Sequence, residues 1–391
     1  MGRGRRTSSV HPGPPLEEGH SILSTDPYSR LARKLDELPN GFPVTDSGLR
    51  LLAKLFGEDE AEVASHMRAS LEPASVIARR AGLGDDEAAN LLEEMARKGL
   101  VRSARAGDDR AYGLMPFAVG VYEESLPRMD EELATLFEEY YTETRGGGMT
   151  GGQPALQRVI PVGKSIPVEL EIFPHEQAAR YIENARAWGV RDCICRVQQR
   201  LVGKGCDAPL ETCIVFAPVE GAFDDSEATR PVGKDEALRI LEESAEAGLV
   251  HSTMNQKGQV FYICNCCTCC CGVLRGVKEF GIPTAVAKSD FRATVRNAEC
   301  AGCGACVERC GFDALAVEDG VSVADYSRCV GCGVCVPACP AGALAMERRP
   351  AGEVPEPPAN RRAWLAERAA SRAIEKPVWR STGDISSHRK D

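Results

Sequence analysis

Apolar positions recur along the N-terminal third at helical spacing. Leu49, Leu51, Leu52, Leu55 and Phe56 mark one helix, with Thr45 or Asp46 able to cap it and Gly57 to stop it. A second helix is predicted over about 58–68. A third segment, 73–82, is followed by a turn and a helix over 85–98 with Leu91, Leu92 and Met95 on one face. Gly99 ends that helix, and Leu100-Val101-Arg102 opens a hairpin that closes near Ala111–Leu114. Residues 128–144 carry a helical stripe of Met129, Leu133, Leu136 and Phe137. From about 160 to 275 the pattern mixes periods: an alternating run over 166–172, a helix over 175–188 behind Pro174, a helix over 234–247 stopped by Gly248, and a strand over 260–263. A Pro-rich stretch begins at Pro350, and 360–374 reads as a short Arg-rich amphipathic helix with Trp364, Leu365 and Ile374. No apolar run approaches the ~18 residues of a membrane-crossing helix.

The order helix, helix, turn, helix and charged hairpin, with LLEEMARKGLV (91–101) leading into the hairpin, resembles a winged-helix domain. That resemblance implies DNA binding, and the charges oppose it. Five acids (Asp85, Asp86, Glu87, Glu93, Glu94) against two bases (Arg97, Lys98) give the helix in the recognition position a net charge of −3, which phosphates repel. Arg102, Arg105 and Arg110 could still reach a backbone from the wing. Protein docking or a structural role is the expectation, and nucleic acid is not. Residues 240–251 (ILEESAEAGLVH) echo 91–102 (LLEEMARKGLVR), the same helix stop used twice.

Gly146, Gly148 and Gly151 formally match GxGxxG, yet a helix precedes them and Pro154 and a strand-like 159–162 follow. A dinucleotide fingerprint needs strand, glycines, helix. Gly163-Lys164-Ser165 resembles the end of a P-loop with Arg158 where the first glycine is required. The expectation for 145–157 is a flexible linker.

Length, 391 residues, suggests two or three domains, and 43% hydrophobic with 27% charged residues is ordinary for a globular chain. The net charge of −10 is segmented: 1–34 and 347–391 are each +3, leaving −16 on the body. An acidic body suits docking to a basic redox partner protein. The N-terminus has Arg5-Arg6 but prolines where an export signal needs apolar residues, and Arg6 where myristoylation needs Ser or Thr. A disordered tail on a cytoplasmic protein is expected. None of the six histidines (His11, His20, His66, His175, His251, His388) sits in a metal spacing or beside a nucleophile.

Cysteine changes the picture. All eighteen lie between Cys193 and Cys339, six of them within 264–271, and adjacent runs such as Cys269-Cys270-Cys271 make a poor disulfide framework. Thiolate ligands for metal are the better reading. Cys300-x2-Cys303-x2-Cys306-x3-Cys310 is repeated 29 residues on as Cys329-x2-Cys332-x2-Cys335-x3-Cys339, and Ala314-Leu315-Ala316 recurs as Ala343-Leu344-Ala345. Glycines at 302, 304, 331 and 333 permit the turns that wrap a cluster. This segment resembles the bacterial two-cluster ferredoxin, whose fourth cysteine crosses to the other cluster. The resemblance implies one [4Fe–4S] cluster on Cys300, Cys303, Cys306 and Cys339, and a second on Cys329, Cys332, Cys335 and Cys310. Gly311 stands where the pattern has proline. Zinc fits this segment poorly, because the interleaved duplicate is not a zinc-knuckle pattern.

Ten cysteines remain: Cys193, Cys195, Cys206 and Cys213, then Cys264, Cys266, Cys267, Cys269, Cys270 and Cys271. In extended chain alternate residues share a side, so Cys193/Cys195 and Cys264/Cys266 can each face one metal and Cys266/Cys267 cannot. Further iron–sulfur clusters, a structural zinc site and a thiol or persulfide redox site all fit. Clusters are favoured because the neighbouring segment already commits the chain to cluster assembly. CxCR, then CNCCxCCC, then a two-cluster ferredoxin is similar to large ferredoxin-like iron–sulfur proteins of anaerobic bacteria and archaea, over about residues 40–346, and implies no defined substrate.

The expected class is α+β and multidomain: tail 1–40, winged-helix-like helical unit 41–144, linker 145–157, α/β cysteine-rich domain 158–293, ferredoxin domain 294–347, and Pro/Arg-rich tail 348–391. The expected function is iron–sulfur electron transfer. Alternatives are an oxidoreductase or its subunit, with a substrate or thiol site at 264–271, and a redox-sensing winged-helix regulator.

Overall fold

A computed structural model describes residues 26–106 and 109–374. Helices and strands are mixed throughout. The N-terminal unit holds helices α1 (Pro27–Asp36), α2 (Asp46–Leu55), α3 (Glu58–Ser65), α4 (Ala74–Ala81) and α5 (Asp85–Arg97), with strands β1 (Glu72–Pro73), β2 (Val101–Ala106) and β3 (Asp109–Leu114) in the order β1-β3-β2. Thr45 caps α2 by accepting from the Gly48 N–H at 3.1 Å. The short α6 (Tyr122–Glu124) and α7 (Glu131–Glu143) complete the unit. Phe42, Phe117, Tyr122, Phe137 and Tyr140 stack edge and face in its core, with Tyr122 and Phe137 only 4.0 Å apart between ring centroids.

The tail expected over 1–40 ends earlier. Residues 1–25 lie outside the described residues, but α1 buries Leu31, Ala32 and Leu35 against the helical core, and Tyr28 donates to the Phe56 carbonyl. The apolar spacing Leu31/Leu35 was masked by the polar, Pro-rich chain ahead of it.

The middle domain is a seven-stranded sheet in the order β10-β4-β8-β9-β6-β5-β7. Its strands are β4 (Gln157–Val159), β5 (Ala187–Asp192), β6 (Glu211–Ala217), β7 (Arg230–Val232), β8 (Val250–Met254), β9 (Tyr262–Cys266) and β10 (Val286–Ala287). Only β10 and β4 run parallel. The expected α/β arrangement is therefore corrected to a mostly antiparallel α+β sheet. Helices α8 (Ala178–Glu183) and α10 (Lys234–Glu246) pack on it. Helices α9 (Ile194–Leu201) and α11 (Gly272–Lys278) lie where the sheet meets the N-terminal unit. Two local expectations fail. Among the described residues the alternating run 166–172 pairs with no strand and forms turns, and the helix expected over 175–188 shrinks to α8 because Trp188 belongs to β5, opposite Phe216.

The C-terminal module pairs β11 (Phe291–Val295) with β14 (Leu344–Arg348), and β12 (Leu315–Glu318) with β13 (Val321–Ala324), around α12 (Ala305–Arg309). The repeated Ala-Leu-Ala supplies the starts of β12 and β14.

The linker expected to be flexible is not loose, and the helix expected over 360–374 forms. In 145–157, Met149, Ala155 and Leu156 are buried, and a Cβ on Gly148 would lie 2.1 Å from the Gly41 carbonyl, so glycine is there for close approach. Past 348, α13 (Arg361–Ser371) folds back onto this segment as a strap. Trp364 is buried and donates to the Ala155 carbonyl at 3.0 Å, and the Arg368 guanidinium is fully buried. Residues 375–391 lie outside the described residues.

Candidate metal centres

The eight C-terminal cysteines divide into two quartets. Cys300, Cys303, Cys306 and Cys339 line one small cavity with Val295, Ser322 and Leu344. Cys310, Cys329, Cys332 and Cys335 line another with Phe312, Leu315 and Val330. The fourth cysteine of each run therefore sits with the first three of the other run. Backbone donors already point at sulfur: Ser322 N–H reaches Cys300 Sγ at 3.3 Å, and Ala314 N–H reaches Cys310 Sγ at 3.4 Å. The Ser322 and Gly302 N–H groups hold the Cys300 thiol below its usual range. Burial pushes Cys332 up to about 12 and Cys335 upward as well, so these thiols would lose their protons only to a metal. Gly331, at φ +76°, passes so close to the Phe291 carbonyl that a Cβ would lie 2.0 Å from it.

The two quartets differ in surroundings. Cys303 is exposed, whereas Cys329, Cys332 and Cys335 are buried. The inner quartet abuts the middle domain: Val162 N–H donates to the Cys332 carbonyl at 2.9 Å, and Ser165 Oγ to the Gly333 carbonyl at 2.9 Å. Gly311 also finds its reason here. A Cβ at that position would lie 2.7 Å from Thr268 Oγ1, so the proline of the family pattern has no room. Thr268 is the threonine inside the 264–271 run, which brings that run against the inner quartet.

The ten upstream cysteines regroup across their two sequence clusters. Cys206, from the loop after α9, joins Cys267, Cys269 and Cys270, with all four sulfurs within 4.8 Å of one another. The other six form a row, each thiol interacting with the next: Cys193, Cys195, Cys271, Cys266, Cys264 and Cys213. Cys193 precedes α9, Cys195 lies in its first turn, Cys213 is on β6, Cys264 and Cys266 are on β9, and Cys271 precedes α11. Cys266 and Cys267 part to different groups, since the strand turns alternate side chains to opposite sides.

Electrostatics agrees with an anionic occupant. Arg196, next to Cys195, is fully buried and among the described residues finds only neutral hydrogen-bond partners, the Asn265 carbonyl at 2.7 Å and Thr212 Oγ1 at 2.5 Å, while its Nε has none. Cys193, Cys267, Cys266 and Cys206 surround it and raise its pKa. A guanidinium taken out of water needs negative charge nearby, and thiolates are the available source. Hydrogen bonds from Cys264 and Cys271 hold Cys266 down to about 6, and those from Cys269 and Cys270 hold Cys267 well below the usual thiol range. The buried Tyr122 hydroxyl lies beside the Cys195 thiol and within electrostatic reach of Cys193. The CxCR run was visible in the sequence but gave Arg196 no role there, and nothing pointed to Tyr122.

His175, Glu176 and Asp290 also converge. They form an ion-pair network and not a metal site, because Arg348 grips both Glu176 oxygens at 2.9 and 3.0 Å and Arg158 lies beside them. Burial first, then the hydrogen bond with Glu176, pushes Asp290 up to about 6. His251 is buried with Nδ1 2.5 Å from Asn265 Oδ1, and burial lowers it to about 4.

Among known proteins, the 4Fe–4S binding domain family matches residues 323–345, the span that contains Cys329, Cys332, Cys335 and Cys339. No curated protein matches the chain. The match makes this an iron–sulfur protein with a ferredoxin-like segment able to hold at least one [4Fe–4S] cluster. Among the described residues no helix is long and apolar enough to cross a membrane.

Proposed function

We propose that the protein moves single electrons between a redox partner and the cysteine-rich middle domain. Two [4Fe–4S] clusters would sit in the ferredoxin module, and further metal on the upstream cysteines. The observation that carries this reading is the pair of crossed quartets, with the family match across the second cysteine run. When bound, such clusters supply one-electron redox chemistry, within a range of about −700 to +450 mV. The chain supplies the thiolates, the N–H groups that point at them, and a difference in exposure that orders them. The exposed quartet with Cys303 is the port for a partner. The buried quartet with Cys332 lies against the cysteine-rich middle domain, across the Gly311–Thr268 contact.

The winged-helix reading of α3–α5 with β1–β3 is supported by the strand order β1-β3-β2, and a DNA role is not. Arg102 turns inward to the Ala69 carbonyl, and Arg110 pairs with Glu93 at 3.2 Å. We assign the unit a structural role, since α7 packs against α9 and Gln198 of α9 donates to the Ala134 carbonyl at 2.9 Å. Eighteen free cysteines call for a reducing compartment, and the cytoplasm is the one proposed. A second reading, an oxidoreductase with its substrate near 264–271, is favoured by one cavity of about 400 Å³. Tyr262, Asn255, Arg102 and Trp364 line it, and Tyr262 lies two residues before Cys264.

Docking through the acidic body predicts a salt-sensitive reaction. Electron transfer from the reduced protein to a basic haem protein, followed by stopped-flow absorbance, is expected to slow roughly tenfold between low salt and about 0.5 M salt. A rate that does not change with salt would remove the docking argument, and failure to deliver electrons to any one-electron acceptor would remove the function.

A further inference from the structure

We propose that Cys206, Cys267, Cys269 and Cys270 form a mononuclear tetrathiolate site for Zn²⁺, distinct from any iron–sulfur cluster. The Sγ atoms of Cys206 and Cys267 are 3.7 Å apart, Cys206 and Cys270 3.7 Å, and Cys269 and Cys270 3.8 Å. Four sulfurs bound tetrahedrally to one zinc at about 2.3 Å must stand about 3.8 Å apart. A cubane carries its thiolates on four separate iron atoms and holds them wider. The chain provides its own comparison: among the described residues, neither ferredoxin quartet gathers its sulfurs within 4.8 Å, and this set does. A disulfide needs sulfurs at about 2.0 Å, closer than any pair here.

The surroundings suit a structural metal. All four ligands come from protein, so no position is left open for substrate or water. Arg200 fixes the loop that carries Cys206, donating to the Cys206 carbonyl at 2.9 and 3.1 Å and to the Ala208 carbonyl at 2.8 Å. The Cys271 N–H closes the opposite turn on the Cys267 carbonyl at 3.2 Å. The Arg196 guanidinium, within electrostatic reach of Cys206 and Cys267, offsets part of the double negative charge that four thiolates leave around Zn²⁺. Cys269 is exposed and gives the ion a way in. The bound metal would tie the 202–210 loop to the turn that carries Thr268, and so fix the surface on which the inner ferredoxin quartet rests. This inference deepens the reading of the upstream cysteines as metal ligands, and it does not depend on the ferredoxin clusters.

The test is metal and acid-labile sulfide analysis of the full chain, purified without oxygen, with zinc X-ray absorption. About one zinc per chain with a shell of four sulfurs at about 2.3 Å is expected. Cys206→Ser and Cys270→Ser are each expected to lose that zinc while iron, sulfide and the cluster signals stay unchanged. Iron exceeding sulfide by one per chain would show mononuclear iron instead and overturn the zinc assignment. Loss of about four iron with four sulfide in these variants would show a cubane and overturn the site itself. Should the serine variants not fold, Co²⁺ exchanged into the intact protein reads the same site. Tetrahedral thiolate absorption bands are expected, and their absence contradicts the proposal.

Discussion

Replacing Cys310 with serine is expected to remove about four iron and four sulfide from the protein, and with them the cluster held by Cys329, Cys332 and Cys335. The cluster of its sequence neighbours Cys300, Cys303 and Cys306 should survive. Cys310 lies four residues after Cys306, yet it lines the cavity of the second run. The short helix α12 carries the chain from one quartet to the other, and Ala314 N–H meets Cys310 Sγ on the far side. Cys339→Ser should do the reverse, emptying the exposed quartet and leaving the buried one. The two losses are separable by adding a soluble paramagnetic ion, which enhances the spin relaxation of an exposed cluster more than that of a buried one. Equal loss of both clusters in both variants would mean that the quartets fold only together; loss of the sequence-adjacent cluster would mean that the ligands are not crossed.

Arg368→Ala is expected to be the most destabilising single change outside the cysteines. The guanidinium is fully buried and donates to five carbonyls: Pro39 at 2.9 Å, Gly148 at 3.0 Å, Gly152 at 3.0 Å, Pro154 at 2.6 Å, and Gly151. It also lies over the Trp364 ring. Burial lowers its pKa to about 10, so it stays charged at neutral pH. Removing it leaves five carbonyls around a cavity, and charge-assisted hydrogen bonds of this kind contribute about 1.5–3 kcal/mol each before water re-enters. A net loss of about 3–5 kcal/mol, or a fall of roughly 10 °C in the first thermal transition, is expected by differential scanning calorimetry. Lysine at 368 should recover little of this, because an ammonium cannot fan out to five acceptors. An unchanged transition would mean that α13 is not docked in solution.

These two residues mark the boundary of what was legible in the sequence. The ferredoxin-like segment was readable because its cysteines are local, two and three residues apart, and because the segment is duplicated. Helix α5 and the β2–β3 hairpin were readable for a similar reason: Leu92, Met95 and Gly99 encode periodicity and a stop within one short window. Arg368 was not. Its partners are more than two hundred residues away along the chain, and the glycines it serves have the composition of a linker. The partition of the upstream cysteines was hidden likewise, since Cys206 lies 61 residues from Cys267 and only the fold of β6 and β9 brings them together. The run 166–172 alternates like a strand, but a strand needs a neighbour, and none is offered at that edge.

The most direct test of the account is iron and sulfide counting on the full chain purified without oxygen, followed by electron paramagnetic resonance after chemical reduction. About eight iron and eight sulfide assignable to residues 300–339, lost when those eight cysteines become serine, and a reduced spectrum of two magnetically interacting [4Fe–4S]⁺ clusters are predicted. A protein that holds no reducible cubane, or whose iron is unaffected by that substitution, would contradict it.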